Sequence, residues 1–124
     1  MPKAIKEFDV LTDLTPEDVK SKLDAHSIVL IDVREPREFA AERIHGALNF
    51  PLSTFDPTYL PTGGPTIVFQ CGTGKRSAMA ADKASVHLGG ETAHLAGGIT
   101  AWKQDGHRVV AIDPETGAVI DPGK

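Results

Sequence analysis

The chain has 124 residues, 40% of them hydrophobic and 24% charged, which is the size and composition of one ordinary globular domain. Its formal net charge of -4 argues against nucleic acid as a partner, and no apolar run is long enough to span a membrane. The start of the chain has no apolar stretch of signal-peptide length, so we expect a cytoplasmic location, with neither nucleic acid nor a membrane as partner.

The first half of the chain alternates strand and helix signals, beginning with a short predicted strand at Glu7–Leu11. A strong helix start follows, because Thr15 can cap the helix and Pro16 suits its first position; the helix should run to about Ala25. Ile28–Val33 is a near-continuous apolar run, typical of a parallel strand buried on both faces. The next two predicted elements are a short helix and a short strand, at Pro36–Glu42 and Ala47–Phe50.

The second half begins with a loop over residues 51–65, which is rich in proline and glycine and leaves room for a short helical turn. Thr66–Phe69 is predicted to be a buried strand, and the Ala-rich stretch from Ser77 to Leu88 a helix. The remaining predicted elements are a core strand at Thr92–Leu95, a short helix containing Ile99 and Trp102, and an extended pair at Val109–Val110. The tail, Ala111–Lys124, is interpreted as a loose hairpin or an ordered arm.

This alternation predicts an α/β fold with a parallel sheet covered by helices on both faces. We expect a single domain over residues 1–110 and a C-terminal extension of unknown role over residues 111–124. Ligands of such folds bind at the carboxyl ends of the strands. Asp32, Arg34 and Cys71 all lie at the carboxyl ends of predicted strands, which favours a single site.

The only cysteine lies between a buried strand and a helix start, in the stretch Cys71-Gly72-Thr73-Gly74-Lys75-Arg76-Ser77, called the Cys71 loop below. A lone cysteine is more often a small buried hydrophobe than a reactive group. Here a helix N-terminus and two cations stand beside it, and both favour a thiolate. The loop is therefore interpreted as an anion-binding loop around a nucleophilic cysteine. It lacks the glycine spacing of a nucleotide-binding P-loop and of a dinucleotide fingerprint.

The charged residues near the cysteine divide into two groups. Arg76 is interpreted as a fork donor to an oxyanion or a persulfide, while Lys75 is open between a charge donor and a solvated surface residue. Asp32 and Arg34 either line the site or form an ion pair that braces the loop, and the ion pair is the favoured interpretation. One cysteine excludes an internal disulfide and a resolving thiol, so transfer chemistry must finish on an external acceptor. The five histidines are scattered, and we expect no metal and no other cofactor.

These motifs together resemble those of the single-domain rhodaneses, a sulfurtransferase family. The segments that carry the resemblance are Ile31-Asp32-Val33-Arg34-Glu35 with Glu38-Phe39 following, Gly46-Ala47-Leu48-Asn49-Phe50-Pro51, the Cys71 loop, and Leu95-Ala96-Gly97-Gly98 with Trp102 and Gly106. The resemblance implies a three-layer α/β/α fold with a five-stranded parallel sheet in the order 3-2-4-5-1. It also implies a persulfide on Cys71, with the backbone amides of residues 72 to 76 around its outer sulfur. The segment Glu42-Arg43-Ile44-His45 departs from the family's usual pattern before Gly46.

The implied activity is transfer of a sulfane sulfur from thiosulfate or a related donor to cyanide or a thiol. Cys71 and Arg76 would be catalytic, Gly72 through Ser77 would bind the substrate, and Asp32 and Arg34 would support them. A persulfide carrier that exchanges sulfur with a partner protein is the alternative of a different class. A phosphatase is the third, because rhodaneses share their fold with dual-specificity phosphatases. The phosphatase loop has five residues between Cys and Arg, whereas four stand between Cys71 and Arg76, which suits a single sulfur better than a phosphate.

Overall fold

The computed structural model describes residues 10–120, which form two sheets and four α-helices. The strands of the larger sheet are β1 Val10–Leu14, β2 Ile28–Asp32, β4 Leu48–Asn49, β5 Thr66–Gln70 and β6 Glu91–Leu95. The smaller sheet consists of β3 Glu42–Arg43, β7 Val110–Ile112 and β8 Val119–Ile120. The helices are α1 Pro16–Asp24, α2 Pro36–Ala41, α3 Lys75–Ala84 and α4 Gly98–Gln104, with two 3-10 turns at Leu52–Thr54 and Pro57–Tyr59.

The larger sheet is parallel throughout, with the strand order β1-β6-β5-β2-β4. When its five strands are numbered 1 to 5 along the chain and the sheet is read from β4 to β1, the order is 3-2-4-5-1, as the family resemblance implied. One face packs against α1 and α4, which contribute Val19, Ile99 and Trp102 to its core. The other face packs against the alanines of α3. The three-layer α/β/α fold is therefore confirmed.

The central strands are buried because side chains from both of their faces enter a core. Leu30 and Val68 lie in the core on the α1 side, while Ile31 and Phe69 lie in the core on the α3 side, and all four are fully buried. The predicted buried strands at 28 and 66 are thus confirmed, and Cys71 follows the second of them directly.

The bounds of β1 and α3 differ most from those predicted. β1 covers Val10–Leu14 and so continues past the predicted end at Leu11, because it pairs in register with β6 up to Leu14 and Leu95. The first predicted residues of this strand, Glu7 to Asp9, lie outside the described residues. Helix α3 begins at Lys75 rather than Ser77, since Gly74 supplies a left-handed N-cap with φ +108°. It ends at Ala84 rather than near residue 88.

Of the two structures predicted for the tail, a loose hairpin and an ordered arm, the described residues show the hairpin. β7 and β8 pair antiparallel, and β7 also pairs antiparallel with β3, with Arg43 opposite Val110. Residues 121–124 lie outside the described part. Across residues 10–120, no helix combines the length and the apolar character that crossing a bilayer requires.

Candidate active site

Cys71 lies at the carboxyl edge of the larger sheet, in the first position after β5. Only 1% of the residue is exposed. The chain turns immediately after it through Gly72, Thr73 and Gly74 and enters α3. The thiol therefore occupies the base of the loop rather than its rim.

The backbone amides of Gly74 and Ser77 donate to the sulfur, and we call this pair the amide cradle. The N–H of Gly74 donates to Cys71 Sγ at 3.1 Å, and the N–H of Ser77 donates at 3.3 Å. Ser77 lies in the first turn of α3, where amides lack partners within the helix. The left-handed Gly74 turns the chain so that these donors converge on one atom.

Helix α4 fixes the orientation of the loop from outside. The amides of Ile99 and Thr100 donate to the carbonyls of Cys71 and Gly72, at 2.8 and 3.1 Å. Because these carbonyls accept from α4, they do not compete with the sulfur for the N–H groups of the amide cradle. The contact is close because Gly98 has no side chain: a Cβ there would lie 2.2 Å from the Cys71 carbonyl oxygen.

The pKa of the Cys71 thiol reflects two opposing effects. Burial alone raises it, because the thiolate loses water. Hydrogen bonds from the Ser77 hydroxyl and from the amides of Ser77, Gly74 and Thr73 lower it, and together they outweigh burial. The pKa therefore lies below its ordinary value, and the thiolate is favoured.

Arg76 is held at the loop by a partner that sequence reasoning missed. Its guanidinium makes a two-pronged ion pair with Glu38 of α2, with Nη1–Oε1 at 2.8 Å and Nη2–Oε2 at 3.1 Å. This hydrogen bonding lowers the pKa of Glu38 to about 2 and raises that of Arg76. The same guanidinium lies close to Gly72, where an added Cβ would stand 3.2 Å from Nη2.

The other predicted residues lie in different settings. Lys75 and Thr73 are exposed. Within the described residues 10–120, Lys75 makes no hydrogen bond or ion pair through its side chain. Asp32 and Arg34 form a buried ion pair at the end of β2, with Arg34 Nη2 to Asp32 Oδ2 at 2.9 Å. Arg34 also donates to the Glu42 carbonyl at 2.6 Å. The predicted ion pair is therefore present, but the prediction that it braces the Cys71 loop was wrong: it joins β2 to β3, because the Arg34 guanidinium reaches the Glu42 carbonyl.

His94 and Asp13 were also missed, although they are connected to the thiol through Ser77. His94 Nδ1 lies 2.8 Å from Ser77 Oγ, and His94 Nε2 lies 2.7 Å from Asp13 Oδ1. Ser77 Oγ in turn lies 3.6 Å from Cys71 Sγ. The strand order 3-2-4-5-1 places the first strand, which holds Asp13, beside the last, which holds His94. That expected order could therefore have indicated that the two residues are neighbours.

A buried thiol with converging amides and a nearby guanidinium can form a nucleophilic thiolate and hold an anion beside it. The ring from Cys71 to Arg76 has the four intervening residues that the sequence indicated.

The chain is similar in sequence and in structure to several known proteins. A model of the rhodanese-like domain matches residues 15–105. The chain is 36% identical over 94 residues to an uncharacterized protein of Synechocystis, covering 75% of this chain and 52% of that protein, so it spans about half of that relative. It is 29% identical over 106 residues to the thiosulfate:glutathione sulfurtransferase of Saccharomyces cerevisiae, covering 73% and 76%. The crystal structure of a rhodanese-related protein from Thermoplasma volcanium matches with a TM-score of 0.69 at 26% identity, covering 80% and 97%.

Proposed function

The chain belongs to the rhodanese-like domain family, and from that premise we propose that it is a sulfurtransferase that carries a sulfane sulfur as a persulfide on Cys71. The observation that carries the proposal is the amide cradle, in which the N–H groups of Gly74 and Ser77 converge on Cys71 Sγ at 3.1 and 3.3 Å. Hydrogen bonds of this kind stabilise a sulfur anion.

The first half-reaction loads the enzyme. The Cys71 thiolate attacks the outer sulfur of thiosulfate, a new S–S bond forms, and the donor's S–S bond breaks. Sulfite leaves with the electron pair, so the total charge is unchanged. The amides at the start of α3, which lack partners within the helix, favour the anionic persulfide, and Arg76 adds positive charge near Gly72.

The second half-reaction unloads it. A nucleophile attacks the outer sulfur of the persulfide, and the Cys71 thiolate leaves and is regenerated. Because the chain has one cysteine, this nucleophile must come from another molecule. The yeast relative is a thiosulfate:glutathione sulfurtransferase, which supports thiosulfate as donor and a small thiol as acceptor here. Cyanide serves as the assay acceptor.

Intact-mass measurement after thiosulfate treatment tests the proposal. The wild type should gain one sulfur atom, Cys71→Ser should gain none, and glutathione should remove the sulfur. Two oxygen atoms weigh nearly as much as one sulfur, so an oxidised cysteine is the necessary control; a sulfinic acid stays after thiol treatment, whereas a persulfide does not. No sulfur gain by the wild type, or full transfer by Cys71→Ser, would contradict the proposal.

A persulfide carrier is the second candidate, and the ion pair between Arg76 and Glu38 favours it. An arginine held by a carboxylate is less available to a small anionic donor. A carrier would take sulfur from a protein persulfide much faster than from thiosulfate, so turnover with the two donors separates the candidates. An aryl phosphate in the same panel tests phosphatase activity, for which we expect no turnover that depends on Cys71.

A further inference from the structure

A continuous row of hydrogen-bonding groups connects the buried sulfur with the protein surface. From Cys71 Sγ it passes to Ser77 Oγ at 3.6 Å, then to His94 Nδ1 at 2.8 Å. His94 Nε2 completes it, at 2.7 Å from Asp13 Oδ1. The parallel pairing of β1 with β6 sets Asp13 directly opposite His94, so the last link follows from the strand register.

Burial changes sharply along this row. Cys71 and Ser77 are almost wholly buried, and the His94 side chain is 8% exposed, whereas the Asp13 side chain is 70% exposed. The inner groups are thus sealed from water, and the carboxylate at the outer end is in contact with it. A buried histidine with both ring nitrogens engaged in this way can exchange a proton only through its partners.

The carboxylate sets the direction of the hydrogen bonds. Asp13 accepts from His94 Nε2–H, which leaves Nδ1 of the neutral ring as an acceptor for the Ser77 hydroxyl. The Ser77 oxygen is then free to accept from the Cys71 thiol. When the ring carries a second proton, Nδ1–H donates to Ser77 and the hydroxyl is released to donate to the sulfur. The Gly74 carbonyl, 3.1 Å from Ser77 Oγ, is the competing acceptor.

We propose that Ser77, His94 and Asp13 form a proton relay that receives the thiol proton of Cys71 when the thiolate forms. The thiol proton moves to Ser77 Oγ while the hydroxyl proton moves to His94 Nδ1. One proton is transferred in total and no electrons change hands. His94 is a positioning residue, since it acts on the sulfur through Ser77. The inference deepens the proposed function, which needs the thiolate as nucleophile.

Other charges also face this row. At the sulfur end, Arg76 interacts with the thiolate and is itself held by Glu38, with a smaller influence from Asp32. At the outer end, Asp13 is the charged partner of His94. Arg76 favours the thiolate whether or not the relay operates, so a test must change the relay and leave Arg76 in place.

The pH dependence of Cys71 alkylation by iodoacetamide, measured without any sulfur donor, provides that test. His94→Asn keeps a polar partner for Ser77 but cannot hold a proton, and it should move the midpoint of the rate profile upward by about one pH unit. Asp13→Asn at the exposed end should give a smaller shift in the same direction with little effect on folding. Glu17→Gln is the matched control, because this exposed carboxylate faces His107 at 3.8 Å; its midpoint should equal that of the wild type.

A double variant distinguishes the relay from a charge that acts through space. In a Ser77→Ala background the link is broken, so adding His94→Asn should cause no further shift. An equal shift in that background, or an unchanged midpoint in folded His94→Asn and Asp13→Asn, would overturn the relay. Sulfur loading is measured separately by mass. Shifted midpoints without loading would refute the proposed function alone, and loading with unshifted midpoints would refute the relay alone.

Discussion

Removing the charge of Glu38 tests whether Arg76 stabilises the fold through its ion pair, binds the anionic donor, or does both. Glu38→Gln keeps the size of the side chain and one oxygen acceptor, but it removes the anion that the guanidinium holds at 2.8 and 3.1 Å. The variant should therefore be slightly less stable than the wild type and should bind anions better.

The stability change can be worked out from the pKa of Glu38. The hydrogen bond from Arg76 is the largest cause that lowers this pKa from 4.5 to about 2. At roughly 1.4 kcal/mol per pH unit, this would correspond to about 3 kcal/mol for a pair sealed from water. The side chains are 33% and 35% exposed, so solvent screens the pair. We expect Glu38→Gln to lower the free energy of unfolding at pH 7 by about 1 kcal/mol.

The pH dependence has a definite sign. The folded-state pKa of Glu38 is depressed, so its stabilisation is fully present above its ordinary pKa of 4.5 and is lost as the pH falls toward 2. Urea denaturation at a series of pH values should show the wild type and Glu38→Gln converging over that window. A difference in unfolding free energy that stays constant from pH 7 to pH 2 would refute this account of the pair.

The same variant has a kinetic consequence. In Glu38→Gln, Arg76 can bind the donor without first giving up an ion pair worth about 1 kcal/mol. The KM for thiosulfate should therefore fall by about fivefold. Glu42→Gln is the matched control, because Glu42 pairs with Lys103 at 2.8 Å at a comparable exposure and does not contact the Cys71 loop. Its KM should equal that of the wild type. An unchanged or raised KM in Glu38→Gln would mean that Arg76 does not bind the donor.

Three further predictions concern packing near the site. Gly98→Ala would place a methyl group 2.2 Å from a loop carbonyl oxygen and should lower the free energy of unfolding by at least about 3 kcal/mol. The control Gly106→Ala, at φ +84° with open space around it, should lower it by only about 1 kcal/mol. Equal losses in urea denaturation would contradict the close contact. Asp32→Asn leaves the charge of Arg34 buried without its anion and should lose about 3 kcal/mol, so an unchanged melting temperature would refute the bracing role. Gln70 is fully buried, and neither of its amide atoms reaches a partner among the described residues, so Gln70→Met should gain about 1 kcal/mol; a lower melting temperature would contradict this.

Local sequence signals predicted much of the fold. Thr15 and Pro16 marked the start of α1, where the structure shows a full capping box between Thr15 and Asp18. The apolar runs of β2 and β5 indicated buried parallel strands because both of their faces are covered. The start of α3 was misplaced by two residues, since its N-cap is Gly74 rather than a residue with a capping side chain.

Contacts between distant residues could not be derived in the same way. Asp13 and His94 are 81 residues apart in the chain and meet only because β1 and β6 pair in one register of several that their lengths allow. The pair of Glu38 with Arg76 depends on how α2 sits beside the Cys71 loop, which no local pattern encodes. Both contacts lie beside the Cys71 loop, so local sequence signals pointed to the loop itself but not to the residues that surround it.

The hydrogen bonds from α4 to the carbonyls of Cys71 and Gly72 have a thermodynamic consequence. They fix the peptide planes of the loop in the protein alone, before any donor arrives. Ordering a flexible residue loses about 1 to 2 kcal/mol of conformational entropy, and here that loss belongs to folding rather than to donor binding. Binding should therefore show little of the ordering entropy or heat-capacity change that accompanies a loop that closes on its ligand. Loading with sulfur should leave amide hydrogen exchange in the loop nearly unchanged.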